Sequence, residues 1–380
     1  MRIGMILSSP LPPREGIGFY AWNLARYLVQ NGNQVHLITR GGLKLARPEV
    51  MDGITIWKPP FLPIYPLHVY FHNLFITDLL HRLEKDLDLL HLHTPLVILP
   101  KTNLPVLVTV HTPLKADLRS VKAKNLFGLL IKLQTPVSLM IEANLYNRAD
   151  RFVAVANSVA NELDEYGINF NNISVVGNGV DTNLFRPRQS ESENNQLYFL
   201  TVARLAPRKG LEDLIEAARI VTRQYPQIKF VIVGSGPLYS DLRKLVKKYL
   251  LQAKVIFTGQ ITDRALLIQY YQRAFVYVHP AHYEGLPTVL LEAMACGKAV
   301  ISTAVSGALD VVINEVNGLL IEPRQPNFLA QAMVRVVEDP DIAERLGTTA
   351  RKTICDRYSW ELVGDRYIKE YHALLEGHRQ

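Results

Sequence analysis

Leu197-Tyr-Phe-Leu-Thr-Val-Ala203 runs into Arg204-Leu-Ala-Pro-Arg208-Lys209-Gly210, and that into Leu211-Glu-Asp-Leu-Ile-Glu-Ala-Ala-Arg-Ile-Val-Thr-Arg223. The first piece is a short apolar run and predicts a strand. The third predicts a helix that stops near Pro226. The same alternation continues downstream, with strands expected at Lys229–Val233, Val255–Thr258, Phe275–His279, Ala299–Thr303 and Leu319–Ile321. Upstream it begins with a strand at Ile3–Ser8. A helix at Gly18–Gln30 follows, with Leu24, Ala25 and Leu28 on one face. Further strands are expected at Gln34–Thr39, Leu87–Leu92, Val106–His111, Arg151–Val155 and Ile173–Val176. Apolar strands alternating with helices mean parallel sheets covered on both faces. Two successive runs of this kind predict an α/β protein of two doubly wound domains.

Length agrees with that division, since 380 residues exceed what one hydrophobic core usually serves. The polar stretch Phe185–Gln196 contains Pro187 and reads as the linker. The expected domains are therefore 1–184 and 185–358, followed by a tail, 359–380, with a helix over Trp360–Glu376. The composition is globular: 48% hydrophobic, 9% aromatic, 20% charged. Two cysteines, Cys296 and Cys355, exclude a disulfide scaffold or a cysteine-rich metal site and point to a reducing compartment. The apolar run Ile3–Leu7 is too short for a secretory signal, and prolines follow it. No apolar stretch approaches the ~20 residues of a membrane span. The expectation is a cytoplasmic protein. A net charge of +7 suggests anionic partners without choosing among them.

Ligands of open parallel sheets sit at the carboxyl ends of the strands, so the residues just after each strand are the candidates. Glu284-Gly-Leu-Pro-Thr-Val-Leu-Leu-Glu292-Ala-Met-Ala-Cys-Gly297 is the most informative stretch. Pro287 suits the first turn of a helix and Gly297 its end. The residues between are apolar on nearly every side, so the helix is buried and Glu292 within it needs a partner. The N–H groups of its first turn, at about Leu286 to Val289, form an anion site flanked by two carboxylates. Arg204 and Lys209 follow a strand, where Arg forks onto phosphate oxygens and Lys acts as a point charge. Gly16 and Gly18 lie between the first strand and helix. Ala21 stands where a dinucleotide fingerprint needs its third glycine. His91, His93 and His111 end strands, where a histidine can bond a sugar or move a proton. His91 and His93 lack a third metal ligand near in sequence, and no metal is expected. Asp86-Leu-Asp88 falls at the start of a strand and reads as a surface turn.

Two further stretches carry weaker signals. Lys115, Arg119, Lys122, Lys124 and Lys132 stand against one acid, Asp117, among interleaved leucines. Lys115–Lys132 is a candidate surface for anionic lipid headgroups at the inner face of a membrane. Trp57, Phe61, Tyr65, Tyr70, Phe71 and Phe75 lie among Pro59, Pro60, Pro63 and Pro66, a loop that could grip a lipid or a sugar ring but reads first as a packed loop. A recognisable nucleic-acid module is not visible, so no nucleic-acid partner is expected.

Taken in order, these motifs resemble glycosyltransferase family 4, the retaining nucleotide-sugar enzymes also called glycosyl transferases group 1. Glu284-x7-Glu292 looks like the family's paired glutamates, and Ala203-Arg204-Leu-x3-Lys209-Gly210 like its donor phosphate pair. Gly234-Ser-Gly236-Pro, Phe257-Thr-Gly259, Asn178-Gly-Val-Asp181 and the Gly16 loop stand in family order. Glu15-Gly16 stands where the family often has two glycines, Asn33 where it often has His, and Ala281 where it often has Ser. The resemblance runs nearly end to end. It implies the GT-B architecture, two Rossmann-like domains facing a cleft, with the last helix crossing back to the first domain. It also implies transfer of a hexose from a nucleoside diphosphate sugar to an acceptor hydroxyl on a glycan, lipid or small molecule, with no cofactor. By resemblance, Arg204 and Lys209 bind the diphosphate and Glu292 the ribose hydroxyls. Glu284, Gly285, Leu286, Pro287 and Thr288 hold the sugar and phosphates, and Thr258, Gly259 and Gln260 meet the base. Gly16 approaches the donor phosphate and His111 the transferred sugar. The implied catalytic set is His111, Glu284, Arg204 and Lys209. Two other readings stand beside it: a nucleotide-sugar epimerase on a related scaffold, and a non-catalytic protein that binds a membrane surface.

Overall fold

The computed structural model describes residues 1–11, 13, 16–43, 47–64, 68–95, 97–115, 126–188 and 197–378, with the side chains of 126–134 outside the description. The chain forms two compact units. One is Met1–Asn178 together with Trp360–Gln380; the other is Gly179–Ser359.

In the first unit the elements are β1 (Arg2–Leu7), α1 (Gly16–Gln30), β2 (Gln34–Ile38), β3 (Glu49–Met51), β4 (Ile54–Trp57) and α2 (His68–Leu83). Then come β5 (Leu89–His93), β6 (Val106–Val110), α3 (Leu126–Tyr146), β7 (Arg151–Ala154), α4 (Asn157–Leu163) and β8 (Ile173–Val175). The sheet order is β3-β4-β2-β1-β5-β6-β7-β8. Its strands pair in parallel, except that β3 runs antiparallel to β4. All five residues of β5 and of β6 are buried, as strands with helices on both faces must be. Asp88, in the turn before β5, accepts from the Arg2 backbone N–H at 2.8 Å and pairs with its guanidinium, tying that turn to β1.

The second unit holds β9 (Tyr198–Val202), α5 (Leu211–Gln224), β10 (Lys229–Val233), α6 (Tyr239–Lys248), β11 (Val255–Gly259) and α7 (Arg264–Arg273). It continues with β12 (Val276–His279), α8 (Thr288–Ala295), β13 (Ala299–Thr303), α9 (Ser306–Val311), β14 (Leu319–Ile321), α10 (Pro326–Glu338) and α11 (Pro340–Arg357). Its sheet, β11-β10-β9-β12-β13-β14, is parallel throughout. Numbered within the unit, that is the 3-2-1-4-5-6 order of a dinucleotide-binding fold. The core packs Phe199 on Phe230 with Leu214, Ile215 and Val221 of α5 over the sheet.

The last helix, α12 (Trp360–His378), belongs to the first unit. Trp360, Val363, Tyr367, Tyr371 and Leu374 are buried in the same core as Ile3, Met5, Leu24 and Leu28. Arg151 of β7 pairs with Glu370 at 2.6 Å.

The two units meet at Asn178/Gly179, six residues before the expected 184/185. Residues just after 178 are built into the second unit: Val180 bridges to Ser359, and Phe185 packs edge-on against Tyr271. Of the expected linker, 189–196 lie outside the described residues. The aromatic stretch from Trp57 is not one packed loop. Trp57 ends β4, while Tyr70, Phe71 and Phe75 lie on α2. The prolines stop at Pro66, so nothing interrupts a helix from His68 onward. Its buried face (His68, Val69, His72, Ile76, Leu80, Leu83) repeats at helical spacing. Tyr65 and Pro66 lie outside the described residues, as does the basic stretch from residue 116 onward apart from the backbone of α3.

Candidate active site

In the second sheet the strand order reverses between β9 and β12, and the loops leaving those two strands are where such a sheet places a ligand. The loop after β9 carries Arg204 and then closes a short turn, Pro207–Lys209, in which the Lys209 N–H donates to the Ala206 carbonyl at 3.0 Å. Gly210 ends that turn with φ +62, a left-handed conformation. A Cβ there would come within 1.8 Å of the Pro280 carbonyl oxygen, so the loops after β9 and β12 touch backbone to backbone.

The loop after β12 is held from three sides. Thr303 of β13 donates its hydroxyl to the carbonyls of His279 and Ala281. The His282 N–H donates to the Arg208 carbonyl at 2.8 Å. Gly307, in α9, lies so close that a Cβ would meet the Gly285 carbonyl oxygen at 1.9 Å. These contacts set Glu284, whose carboxylate accepts a charge-assisted hydrogen bond from Lys209 Nζ. Both side chains are mostly buried, at 12% and 16% exposure. Burial alone would raise the Glu284 pKa. Lys209, with Arg208, overcomes it and holds Glu284 below the ordinary carboxylate range. His279 lies fully buried, and burial pushes it down to about 4, so it is neutral.

α8 begins at Thr288 with Pro287 as its cap. Pro287 thus precedes the first turn; the N–H groups of Leu290 and Leu291 donate to its carbonyl, which leaves those of Thr288 and Val289, within the expected Leu286–Val289, as the ones open to an anion. Gly297 ends the helix with φ +71. Glu292 within it accepts from the Tyr271 hydroxyl at 2.9 Å and has Arg264 at 3.9 Å, both from α7. Burial raises its pKa; Arg264 and Tyr271 pull the other way without cancelling it.

The remaining second-unit candidates fall at neighbouring strand ends. Thr258 and Gly259 close β11, and Gln260 follows, accepting from Ser235 Oγ at 3.4 Å. The Gly234 N–H donates to the Gly259 carbonyl at 2.8 Å, which joins the loops after β10 and β11. Arg204 is exposed. The structure therefore brings Lys209 and Glu284 into contact. Gly285, Leu286, Pro287 and Thr288 run between Glu284 and α8, and Glu292 stands one turn further in.

Gly16 and His111 lie in the first unit. Gly16 opens α1 and is exposed; Glu15 is outside the described residues. His111 follows β6, and its Nε2 shares a hydrogen bond with His93 Nδ1 at 3.2 Å. His91 Nε2 meets Thr109 Oγ1 at 2.7 Å, and its Nδ1 meets the Tyr371 hydroxyl at 2.8 Å. Tyr367 bonds Thr109 at 2.8 Å and receives the Tyr20 hydroxyl at 2.6 Å. Burial pushes His91 and His111 down to about 3 and His93 well below its usual value, so all three are neutral. Among the described residues no group of three His, Cys, Asp or Glu side chains is placed to hold a metal. No described helix is long and apolar enough to cross a membrane.

Sequence reasoning missed Tyr271, Arg264, His282 and Asp213. His282 Nε2 donates to the Asp213 carboxylate at 2.7 Å. These residues belong to no recognisable spacing. The signal for His282 was its place in a loop after a parallel strand, the criterion already applied to Glu284.

A doubly wound sheet with a lysine–glutamate pair at its switch point, following a second parallel α/β unit, defines a GT-B type transferase. The family model described as Glycosyltransferase Family 4 matches residues 14–184, and that described as Glycosyl transferases group 1 matches 184–353. Together they span most of the chain, which belongs to this glycosyltransferase family. It is 27% identical to an uncharacterized glycosyltransferase of Methanocaldococcus jannaschii, covering 99% of each chain. The solved sucrose-phosphate synthase of Thermosynechococcus elongatus is 25% identical, with 99% of each chain covered and a TM-score of 0.84. HepE of Anabaena, solved in complex with UDP-glucose, has a TM-score of 0.74 at 18% identity, covering 98% of this chain and 100% of its own.

Proposed function

We propose that this glycosyltransferase moves a hexose from a nucleoside diphosphate sugar to an acceptor hydroxyl, with retention of configuration at the anomeric carbon. The acceptor is a glycan, a lipid or a small molecule. The observation that carries this reading is the Lys209–Glu284 contact between the loops of β9 and β12. The names of the relatives support it as well: one is a sucrose-phosphate synthase and another was solved with UDP-glucose.

The chemistry follows from charge. When the bond between the anomeric carbon and the diphosphate oxygen breaks, its electron pair stays on the β-phosphate. Lys209, held by Glu284, and the N–H groups at the start of α8 are the preorganised groups offered to that charge, with Arg204 beside them on the β9 loop, and such preorganisation is usually the largest rate term. The acceptor hydroxyl attacks the same face, and its proton passes to the departing phosphate oxygen. The alternative, a double displacement with Glu284 as nucleophile, needs a free carboxylate. Glu284 is instead paired with Lys209 Nζ, which would have to release it before it could attack. Glu292 receives the ribose hydroxyls, and Thr258, Gly259 and Gln260 meet the base. Glu284 through Thr288 hold the sugar and phosphates. The family resemblance gives His111 the transferred sugar and Gly16 the donor phosphate.

The test is a thermal-shift panel of UDP-, GDP- and ADP-sugars followed by turnover with the stabilising donor, since a ligand that binds the folded state raises its midpoint. One donor is expected to stabilise the protein, and both Glu292→Ala and Lys209→Ala to lose turnover by orders of magnitude. Near-normal rates in both variants reject the reading. Conversion of the donor with no acceptor present favours the epimerase instead.

A further inference from the structure

His282 and Asp213 lie outside the motifs that carry the proposed function, yet they bracket its central contact. His282 stands two residues before Glu284, and Asp213 four after Lys209. The His282 side chain donates from Nε2 to Asp213 Oδ2 at 2.7 Å; the two are 15% and 20% exposed. Its own N–H is bonded to the Arg208 carbonyl at 2.8 Å. One residue of the β12 loop is thus fastened once to the β9 loop, at Arg208, and once to the helix that follows it, at Asp213, on either side of Lys209, and Gly210 rests against Pro280 between the two fastenings. Asp213 is rigidly mounted on the first turn of α5, where an acid is also favoured by the helix dipole.

A lysine side chain has four rotatable carbons and holds a position only if its backbone and its partner are both fixed. We infer that His282 and Asp213 are positioning residues for the reaction: they clamp the β12 loop onto the β9 loop so that Lys209 Nζ and the Glu284 carboxylate stay in register for the diphosphate. The inference rests on the proposed donor site.

Positioning and mere stability separate by measurement. His282→Leu and Asp213→Leu are each expected to lower kcat by ~10²-fold, the scale of a misplacement of about 1 Å in a catalytic group. Donor KM is expected to stay within about threefold, because a displaced Lys209 still offers its charge to the diphosphate of the bound donor, whereas the charge that grows on the β-phosphate as the bond breaks needs Nζ in its exact place. The double variant is expected to be no slower than either single one, since both break the same clamp. His282→Gln, which keeps an N–H donor near the Nε2 position, is expected to recover most of the rate. Asp213 lies at a helix start, so Asp213→Leu gives a reading even if His282→Leu does not fold. Wild-type kcat in Asp213→Leu, multiplied losses in the double variant, or no rescue by His282→Gln overturns the inference. Lys209→Ala runs alongside. If it keeps turnover, the donor site itself is wrong. If it is inactive while the clamp variants are not, only the clamp is wrong.

Discussion

Beneath the carboxyl ends of the central strands, the first unit holds neutral groups bonded to one another, while the second holds charges bonded to countercharges. Tyr371, His91, Thr109, Tyr367 and Tyr20 form a chain of hydrogen bonds, with the rings of His93 and His111 against Tyr20. In the second unit Lys209 faces Glu284, and Glu292 faces Arg264 as well as the Tyr271 hydroxyl. Both sheets reverse order at one point, between β1 and β5 and between β9 and β12. The same scaffold therefore tolerates two polar fillings. The neutral network pairs most of its own donors and acceptors, His93 Nε2 excepted, whereas buried charges must overcome desolvation and are vulnerable to the loss of one partner.

The largest way to break this contrast is Lys209→Ala. Turnover should fall ~10²- to 10³-fold, the usual effect of losing one preorganised donor to a developing anion. The unfolding midpoint should fall too, because Glu284 is left buried without its cation. Adding Glu284→Gln should restore much of the midpoint and none of the turnover; calorimetry and a donor-turnover assay read the two. Glu292→Gln should separate activity from stability in the opposite sense. Burial raises the Glu292 pKa above its unfolded value, so at neutral pH its ionised form costs the folded state stability. The neutral amide should raise the midpoint at pH 7 while lowering turnover about tenfold or more. A midpoint that drops contradicts the account of Glu292.

A smaller effect distinguishes the units by acid. His91 and His111 titrate at about 3 when folded and near 6.5 when unfolded. The unfolded chain therefore takes up protons that the folded one refuses. The stability these histidines give is complete above pH ~6.5 and falls as pH drops toward 3. His93, His36, His68 and His72 of the first unit are depressed in the same direction. In the second unit His279 is the depressed histidine among the described residues. Hydrogen exchange between pH 7 and 5, corrected for intrinsic rates, should lose protection in β5 and β6 before β9 and β12. Equal loss in both sheets removes this half of the comparison. The smallest effect is expected from Tyr27→Phe, whose hydroxyl donates to Asp365 at 2.8 Å on the surface of the α1–α12 contact. It should cost ~0.5 kcal/mol or less in denaturant unfolding.

Much of this architecture was legible because buried parallel strands announce themselves as apolar runs. Lys229–Val233, Ala299–Thr303 and Leu319–Ile321 have the same bounds in sequence and structure. The edge of the first sheet was not legible. β3 is three exposed residues, and α2 begins directly after a proline-rich stretch whose punctuation hides it. Lys209 and Glu284 stood out because they follow strands at family spacing. Their contact required the fold, since 75 residues separate them. Tyr271 and Arg264 were invisible for a different reason. They sit on α7, a helix of weak amphipathic pattern, and only the buried Glu292 gives them meaning.

The return of α12 to the first unit bears on biosynthesis. The second unit is one continuous segment, Gly179–Ser359, and all of it has left the ribosome before α12 does. The first unit, although translated earlier, lacks Tyr367 and Tyr371 until the final stretch emerges, leaving Tyr20, His91 and Thr109 without those bonding partners. The half made first is thus the half completed last, since its closing helix follows the whole of the second unit.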